Sequence, residues 1–268
     1  MIDFEAPILI KGAGDLATGV AHRLHRAGFR PVLTELAQPL TVRRKVSFSE
    51  AVYEGRIEVE GVTAALAAGV DEARAMLNRG LVPVIVDPGG DVLRLLSPLV
   101  LIEATLAKRN TGVALSDAGW VIALGPGYTA GRDAHAVVET QRGHDLGRVI
   151  LSGMAAPDTG EPEAVRGYTH ERVLRAPAGG VFTPVAAIGD AVAAGQVVGH
   201  VGAVPVAAAI GGVVRGLLHG GLTVTPGLKI GDVDPRGRRE YCFTIGDKAR
   251  AVGGGALEVL LYFLAGRH

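Results

Sequence analysis

The first third of the chain alternates short apolar runs with segments whose apolar positions recur at helical spacing. Pro7–Lys11, Arg30–Glu35, residues 81–87, residues 99–103 and Trp120–Leu124 are Val/Ile/Leu-rich runs that end in Gly, Pro or charged residues. Such runs predict buried strands. Between the first two, residues 15–27 put Leu16, Val20, Leu24 and Ala27 on one helical stripe, and Gly28 follows as a C-terminal stop. Residues 71–79 form a second helical segment before Gly80, and residues 57–60 suit a short added strand. Strands that are apolar throughout and alternate with helices predict a parallel sheet covered on both faces.

The pattern changes near residue 130. Residues 135–139 and 144–151 suit two more strands, and residues 155–167, with two prolines and two glycines, read as a loop. From 172 to about 244, short Val/Ile/Ala runs alternate with Gly, Pro and Asp, an all-β signature. Residues 256–265 are apolar enough for a final helix. The expected organisation is 1–130, a connecting segment 131–171, and a β-rich unit with a C-terminal helix over 172–268. The β-rich region repeats itself weakly. Gly180-Val181-Phe182 leads to a turn over 192–199, and Gly212-Val213-Val214 leads to a like turn over 224–231. Two such halves resemble the barrel-sandwich of biotinyl/lipoyl-type domains. Those carry a modifiable Lys at the hairpin between halves. Here that hairpin, near Gly202-Ala203-Val204-Pro205, has none, and Lys229 falls in a turn of the second half. A swinging-arm carrier is not expected.

The sharpest chemical signal is Lys11-Gly12-Ala13-Gly14-Asp15-Leu16-Ala17. Gly12, Gly14 and Ala17 fit G-x-G-x-x-A, placed after a predicted strand and opening a predicted helix. In that setting Gly12 permits the tight turn, Gly14 lets backbone approach a pyrophosphate, and Ala17 lets helix and strand pack closely. The helix start offers unpaired amides and a partial positive charge to an anion. Glu35 ends the second strand, where a carboxylate accepts from a ribose diol and repels a 2′-phosphate. The expected fold is therefore α/β, a Rossmann-like sheet followed by the barrel-sandwich unit, with a dinucleotide-like ligand at Gly12, Ala13, Gly14, Asp15, Leu16, Ala17 and Glu35. Asp15 either caps the helix or opposes phosphate. Arg43 and Arg44, with Lys45, either clamp further phosphates or form a solvated charge run.

Other groups carry weaker signals. His135 and His144, near Asp133 and Glu139, are candidate metal ligands or general acid/base groups, or ordinary loop residues; no strict ligand template fits, and no metal is expected. Cys242, beside Arg238 and Arg239, is either an activated thiol or a small core residue. Asp232, Asp234 and Arg236 read as a salt-bridged turn rather than an ion site. Lys248 and Arg250 before Gly253-Gly254-Gly255 form either an anion site or a hinge ahead of the last helix.

Composition narrows the field. The chain has 268 residues, with 27 basic against 27 acidic side chains. Nucleic-acid binders carry a basic excess, so nucleic acid is not an expected partner. Aromatics are 4%, too few for stacking on single strands. One cysteine excludes an internal disulfide and a Cys-rich zinc site. Glycine, at 39 residues, is roughly twice its usual share of about 7%, which suits tight turns and backbone-lined sites. The mean hydropathy is +0.31, but the longest apolar run, near residues 99–107, is interrupted by Glu103 and falls short of the roughly 18–20 residues of a membrane span. The opening residues lack a basic and apolar leader pattern. A cytoplasmic protein with no membrane partner is expected.

Several stretches together resemble one bacterial family: residues 12–19, 43–55, 107–110, 125–131, 139–144, 227–236 and 247–258. They are similar to the selenium-dependent molybdenum hydroxylase accessory family, associated with molybdenum cofactor biosynthesis. The resemblance implies an accessory role in cofactor maturation, with a molybdenum hydroxylase or cofactor-maturation proteins as partners. It supplies no catalytic residue, so turnover stays open. Molybdenum hydroxylases often use a dinucleotide form of molybdopterin, so the ligand at the glycine turn is either molybdopterin dinucleotide or NAD. The alternatives are an NAD-type oxidoreductase, with His135 or His144 as proton donor, and a non-catalytic docking scaffold.

Overall fold

The computed structural model describes residues 6–266. The fold is mixed α/β, dominated by strands, with a long C-terminal helix. Its residues divide into two compact units: Met1–Pro39, Ser47–Asp158 and Ile245–His268 form the first, and Leu40–Val46 with Thr159–Thr244 the second.

The first unit holds β1 (Pro7–Lys11), α1 (Asp15–Arg26), β2 (Arg30–Glu35), α2 (Ala51–Glu54), β3 (Arg56–Val59), β4 (Val62–Ala67), α3 (Val70–Leu77), β5 (Val82–Val86), α4 (Asp91–Leu96), β6 (Val100–Glu103), β7 (Trp120–Leu124), β8 (Thr129–Ala130), β9 (Ala136–Val138), β10 (Val149–Ile150), β11 (Gly153–Met154) and α5 (Asp247–Leu264). Nine strands form one sheet in the order β10-β9-β7-β6-β1-β2-β5-β4-β3. The seven strands from β9 to β4 are parallel, and the edge strands β10 and β3 are antiparallel. β1 lies between β2 and β6, so the chain leaves it first in one direction and later in the other. In open sheets that reversal opens a crevice at the carboxyl ends of the strands.

Burial explains the continuous apolar runs. Leu9, Val32, Leu101, Val121 and Val137 face one core with Met76 and Leu77 of α3 and Val92 and Leu96 of α4. The alternate positions Ile10, Leu33, Ile102 and Ile122 are equally buried, and α5 meets Val138 on their side of the sheet. A fully buried Leu24 on α1 contributes about 1.5–3 kcal/mol.

Helix α5 starts nine residues before the predicted residue 256, and it belongs to the first unit, where the pattern had grouped it with the β-rich region. Its glycines are not a hinge. A Cβ on Gly253 would lie 2.7 Å from the Gly19 carbonyl oxygen of α1, and one on Gly255 would overlap the Gly147 carbonyl oxygen. The glycines let the helix lie directly on other backbone. Among the described residues, no helix is long and apolar enough to cross a membrane.

The second unit contains β12 (Val173–Arg175), β13 (Gly180–Pro184), β14 (Ala191–Val192), β15 (Val197–Val201), β16 (Val204–Ala207), β17 (Gly212–Leu217), β18 (Thr223–Val224) and β19 (Lys229–Asp234). They make two four-stranded sheets, β12-β19-β17-β14 and β16-β15-β13-β18. The weak repeat becomes a pairing rule. Phe182 pairs with Val201 as Val214 pairs with Val233. Gly180 pairs with Val224 as Gly212 pairs with Val192, so each half lends a short strand to the other half's sheet.

Candidate functional site

The glycine turn sits at the carboxyl edge of the parallel strands, beside the β1/β6 reversal. Gly12 adopts φ +99°, a region that favours glycine. A Cβ there would also lie 3.1 Å from the Ala104 carbonyl oxygen after β6. Gly12 N–H donates to Thr34 O at 2.9 Å, so the turn starts while still paired to β2. Gly14 is the N-cap of α1 with φ −65° and ψ −176°, and supplies no capping side chain. Ala13 and Ala17 are buried.

Two amides of this turn donate to carboxylates of the chain itself. Ala13 N–H donates to Glu35 Oε1 at 3.3 Å, and Leu16 N–H to Asp15 Oδ1 at 3.0 Å. Glu35 Oε2 accepts from Leu36 N–H at 2.7 Å. Burial lifts the Glu35 carboxyl above its ordinary range, and the amides of Leu36 and Ala13 pull it part of the way back. The amides of Ala13 and Leu16 are thus taken up by carboxyl oxygens of the chain itself. Thr18 braces the turn: its hydroxyl donates to Ala13 O at 3.2 Å and accepts from Phe48 N–H at 2.8 Å. Ser49 N–H also donates to Ala13 O, at 2.8 Å.

The β6 side of the edge carries a second polar group. Glu103, 1% exposed, pairs in register with Lys11, and Lys11 Nζ lies 3.5 Å from its Oε2. The other Glu103 oxygen accepts from the Thr105 amide at 2.9 Å and from the Thr105 hydroxyl. Thr111 Oγ1 donates to Glu103 Oε2 at 3.0 Å, and Lys11 Nζ donates to Thr111 Oγ1 at 3.2 Å. In the loop that follows, Leu106 and Lys108 hold φ +57° and +61°, left-handed conformations that cost about 1–2 kcal/mol each outside glycine. Strain of this kind concentrates at functional edges. The sequence marks Lys11 at the head of the glycine motif, Lys108 within the 107–110 stretch and Glu103 as the charge that interrupts the longest apolar run; it does not point to Thr105, Leu106 or Thr111.

The remaining candidates separate. His135 precedes β9 at the amino edge, opposite the glycine turn. Its Nδ1 accepts from Val121 N–H at 2.9 Å, its ring meets Trp120 edge-on at 5.2 Å, and burial lowers its pKa. His135 is a packed histidine remote from the carboxyl edge. Asp133 also lies before β9 and binds Thr129 N–H at 2.8 Å. Glu139 and exposed His144 lie after it, so the four do not converge.

Arg43 and Arg44 belong to the second unit. Arg43 Nη2 donates to the carbonyls of Tyr241 and Thr244, both at 3.2 Å, and Arg44 Nε to Leu217 O at 2.8 Å. They tie the 40–46 segment to that unit, an alternative that adjacency in sequence does not reveal. Cys242 is 1% exposed, its thiol directed at Val214 O at 3.6 Å. Burial pushes the thiol up despite nearby Arg215 and Arg43, so it behaves as a core residue rather than a thiolate. Asp232 pairs with Arg172 at 2.6 Å and Asp234 with Arg236 at 2.6 Å, the salt-bridged arrangement expected.

No family model matches the chain. It is 48% identical over 257 residues to the uncharacterized protein YqeB of Escherichia coli (strain K12), an alignment that takes in 96% of this chain and 48% of that protein. The chain thus spans about half the length of the curated relative it matches. Among solved structures, an aspartoacylase family protein from Mesorhizobium loti is similar over 24% of this chain and 23% of that one, with 22% identity and a TM-score of 0.23, too slight a likeness to bear on fold or function.

Proposed function

We propose that this chain is an accessory protein in maturation of the molybdenum hydroxylase cofactor, and that it holds a dinucleotide-like ligand at the glycine turn. In this reading the first unit is Rossmann-like and the second a barrel-sandwich, a reading supported by the sheet reversal at β1 and by the exchanged strands of the repeat. The observation that carries the ligand assignment is the turn itself: Gly12 at φ +99°, Gly14 as a bare N-cap, and amides already directed at carboxylate oxygens.

The residues fit a diphosphate with a ribose. The ligand supplies the negative charge and the diol. The chain supplies backbone donors at the start of α1, whose partial positive end favours the diphosphate. Glu35 would hold the diol, and the amides of Ala13 and Leu16, which here donate to Glu35 and Asp15, would serve the phosphates. Lys11, at the end of β1, adds a cation. Of the two proton donors of the oxidoreductase alternative, His135 lies at the other edge of the sheet and His144 is an exposed residue of the loop after β9.

Calorimetric titration with NAD and with molybdopterin dinucleotide tests the assignment. Gly14 has an extended backbone that other residues adopt, so Gly14→Val adds no backbone strain and places a side chain in front of the amides; its far-UV circular dichroism is compared with the wild type's before titration. The reading expects binding of one of the two ligands that weakens at least tenfold in Gly14→Val. Equal affinity in both proteins contradicts it.

A further inference from the structure

A cleft of about 350 Å³ opens in the first unit between the second half of α1, the β3–β4 turn and the start of α5. Its lining includes His22, Arg23, Arg26, Arg250 and Glu60. Glu60, its one acidic residue, is already engaged: Oε1 accepts from Ile245 N–H at 2.9 Å and from Arg250 Nη2 at 2.8 Å. Among the described residues, Arg23 and Arg26 have no carboxylate partner. Three guanidiniums face one carboxylate, leaving an excess of two positive charges.

Helix electrostatics account for only part of this. Arg23 and Arg26 suit the negative end of α1, but Arg250 lies in the first turn of α5, where the helix end is itself positive. Gly254 points the same way. Backbone contacts explain Gly253 and Gly255, whereas a Cβ on Gly254 would meet only Arg23 Nη1, at 3.8 Å. A mid-helix glycine costs about 1 kcal/mol against alanine. Gly254 sits on the helix stripe between Arg250 and Leu257, and the missing side chain keeps that stripe low beside Arg23.

We propose that this cleft is a second anion site, which takes a phosphorylated small molecule. Guanidinium forks match phosphate oxygens two at a time, and the charge excess suits a dianion. The two arginines of α1 stand away from the glycine turn: Arg23 and Arg26 lie nine and twelve residues beyond Gly14, about 14 and 18 Å along the helix axis.

Inorganic pyrophosphate titrated into the full chain by calorimetry tests this. Two sites are expected in the wild type. Arg23→Gln with Arg26→Gln, both exposed positions, loses one of them or weakens it at least tenfold, while Gly14→Val retains that site. Gly254→Leu, which fills the cleft without changing charge, gives the same loss as the arginine pair. Failure of the glycine-turn assignment would appear differently, as one site in the wild type that only the cleft variants remove. Unchanged pyrophosphate binding in the arginine double variant, or no binding to the wild type at millimolar concentration, overturns the proposal.

Discussion

Gly253 of α5 rests on Gly19 of α1 so closely that a Cβ on Gly253 would stand 2.7 Å from the Gly19 carbonyl oxygen. The neighbouring Gly254 meets nothing comparable. The two positions should therefore respond oppositely to one methyl group. Gly253→Ala forces backbone apart and is expected to cost about 1–3 kcal/mol. Gly254→Ala gains helix propensity and is expected to stabilise by about 0.5–1 kcal/mol. Thermal unfolding of the two variants decides; equal shifts would mean that the helices do not meet there.

Glu35 makes stability depend on pH. Its folded-state pKa lies above the ordinary value because of burial, so the folded chain holds the proton more tightly than the unfolded chain. The associated stability is complete below the unfolded pKa, about 4.3, and is lost as the pH rises through the folded value. Relative to Glu35→Gln, the wild type should lose melting temperature as the pH rises from about 4 towards neutrality. A difference constant over that range would show Glu35 to be solvated.

Asp15 holds the Leu16 amide in the free protein and places a negative charge beside the proposed diphosphate. Asp15→Asn removes the charge but keeps an oxygen for the amide. Nucleotide affinity is expected to rise several-fold, and to fall more steeply with salt because the attraction is no longer offset by Asp15. Weaker binding would mean that Asp15 contacts the ligand favourably.

Cys242 should be inert in the folded protein. Its burial and raised pKa leave little thiolate. Reaction with a disulfide reagent is expected to be at least a hundredfold slower in the native state than in denaturant. A rapid native reaction would restore an activated thiol.

Elements with a strong period were legible. β1, β2 and β7 begin and end at the predicted residues, because each is a buried apolar run bounded by turn residues. α4 escaped notice because six residues hold fewer than two turns of period. β4, Val-Thr-Ala-Ala-Leu-Ala, is alanine-rich and lacks a β-branched run. The apolar pattern marks α5 only from residue 256, because three glycines lower helix propensity there, and the close packing of Gly253 on Gly19 and of Gly255 on Gly147 is invisible in the sequence. The glycine turn and Glu35 were readable, since one motif and one strand end define them. The remoteness of His135 was not, because proximity in sequence says nothing about which edge of a sheet a residue occupies. The Glu103 network needs the β1/β6 pairing, a contact between residues almost a hundred positions apart.

The central assignment is a nucleotide-type ligand held at the start of α1, and mass spectrometry of small molecules released from freshly purified protein tests it most directly. The account predicts a diphosphate-bridged nucleotide released from the wild type and absent from Gly14→Val purified in parallel. Release of the same nucleotide in equal amount from both proteins would contradict it.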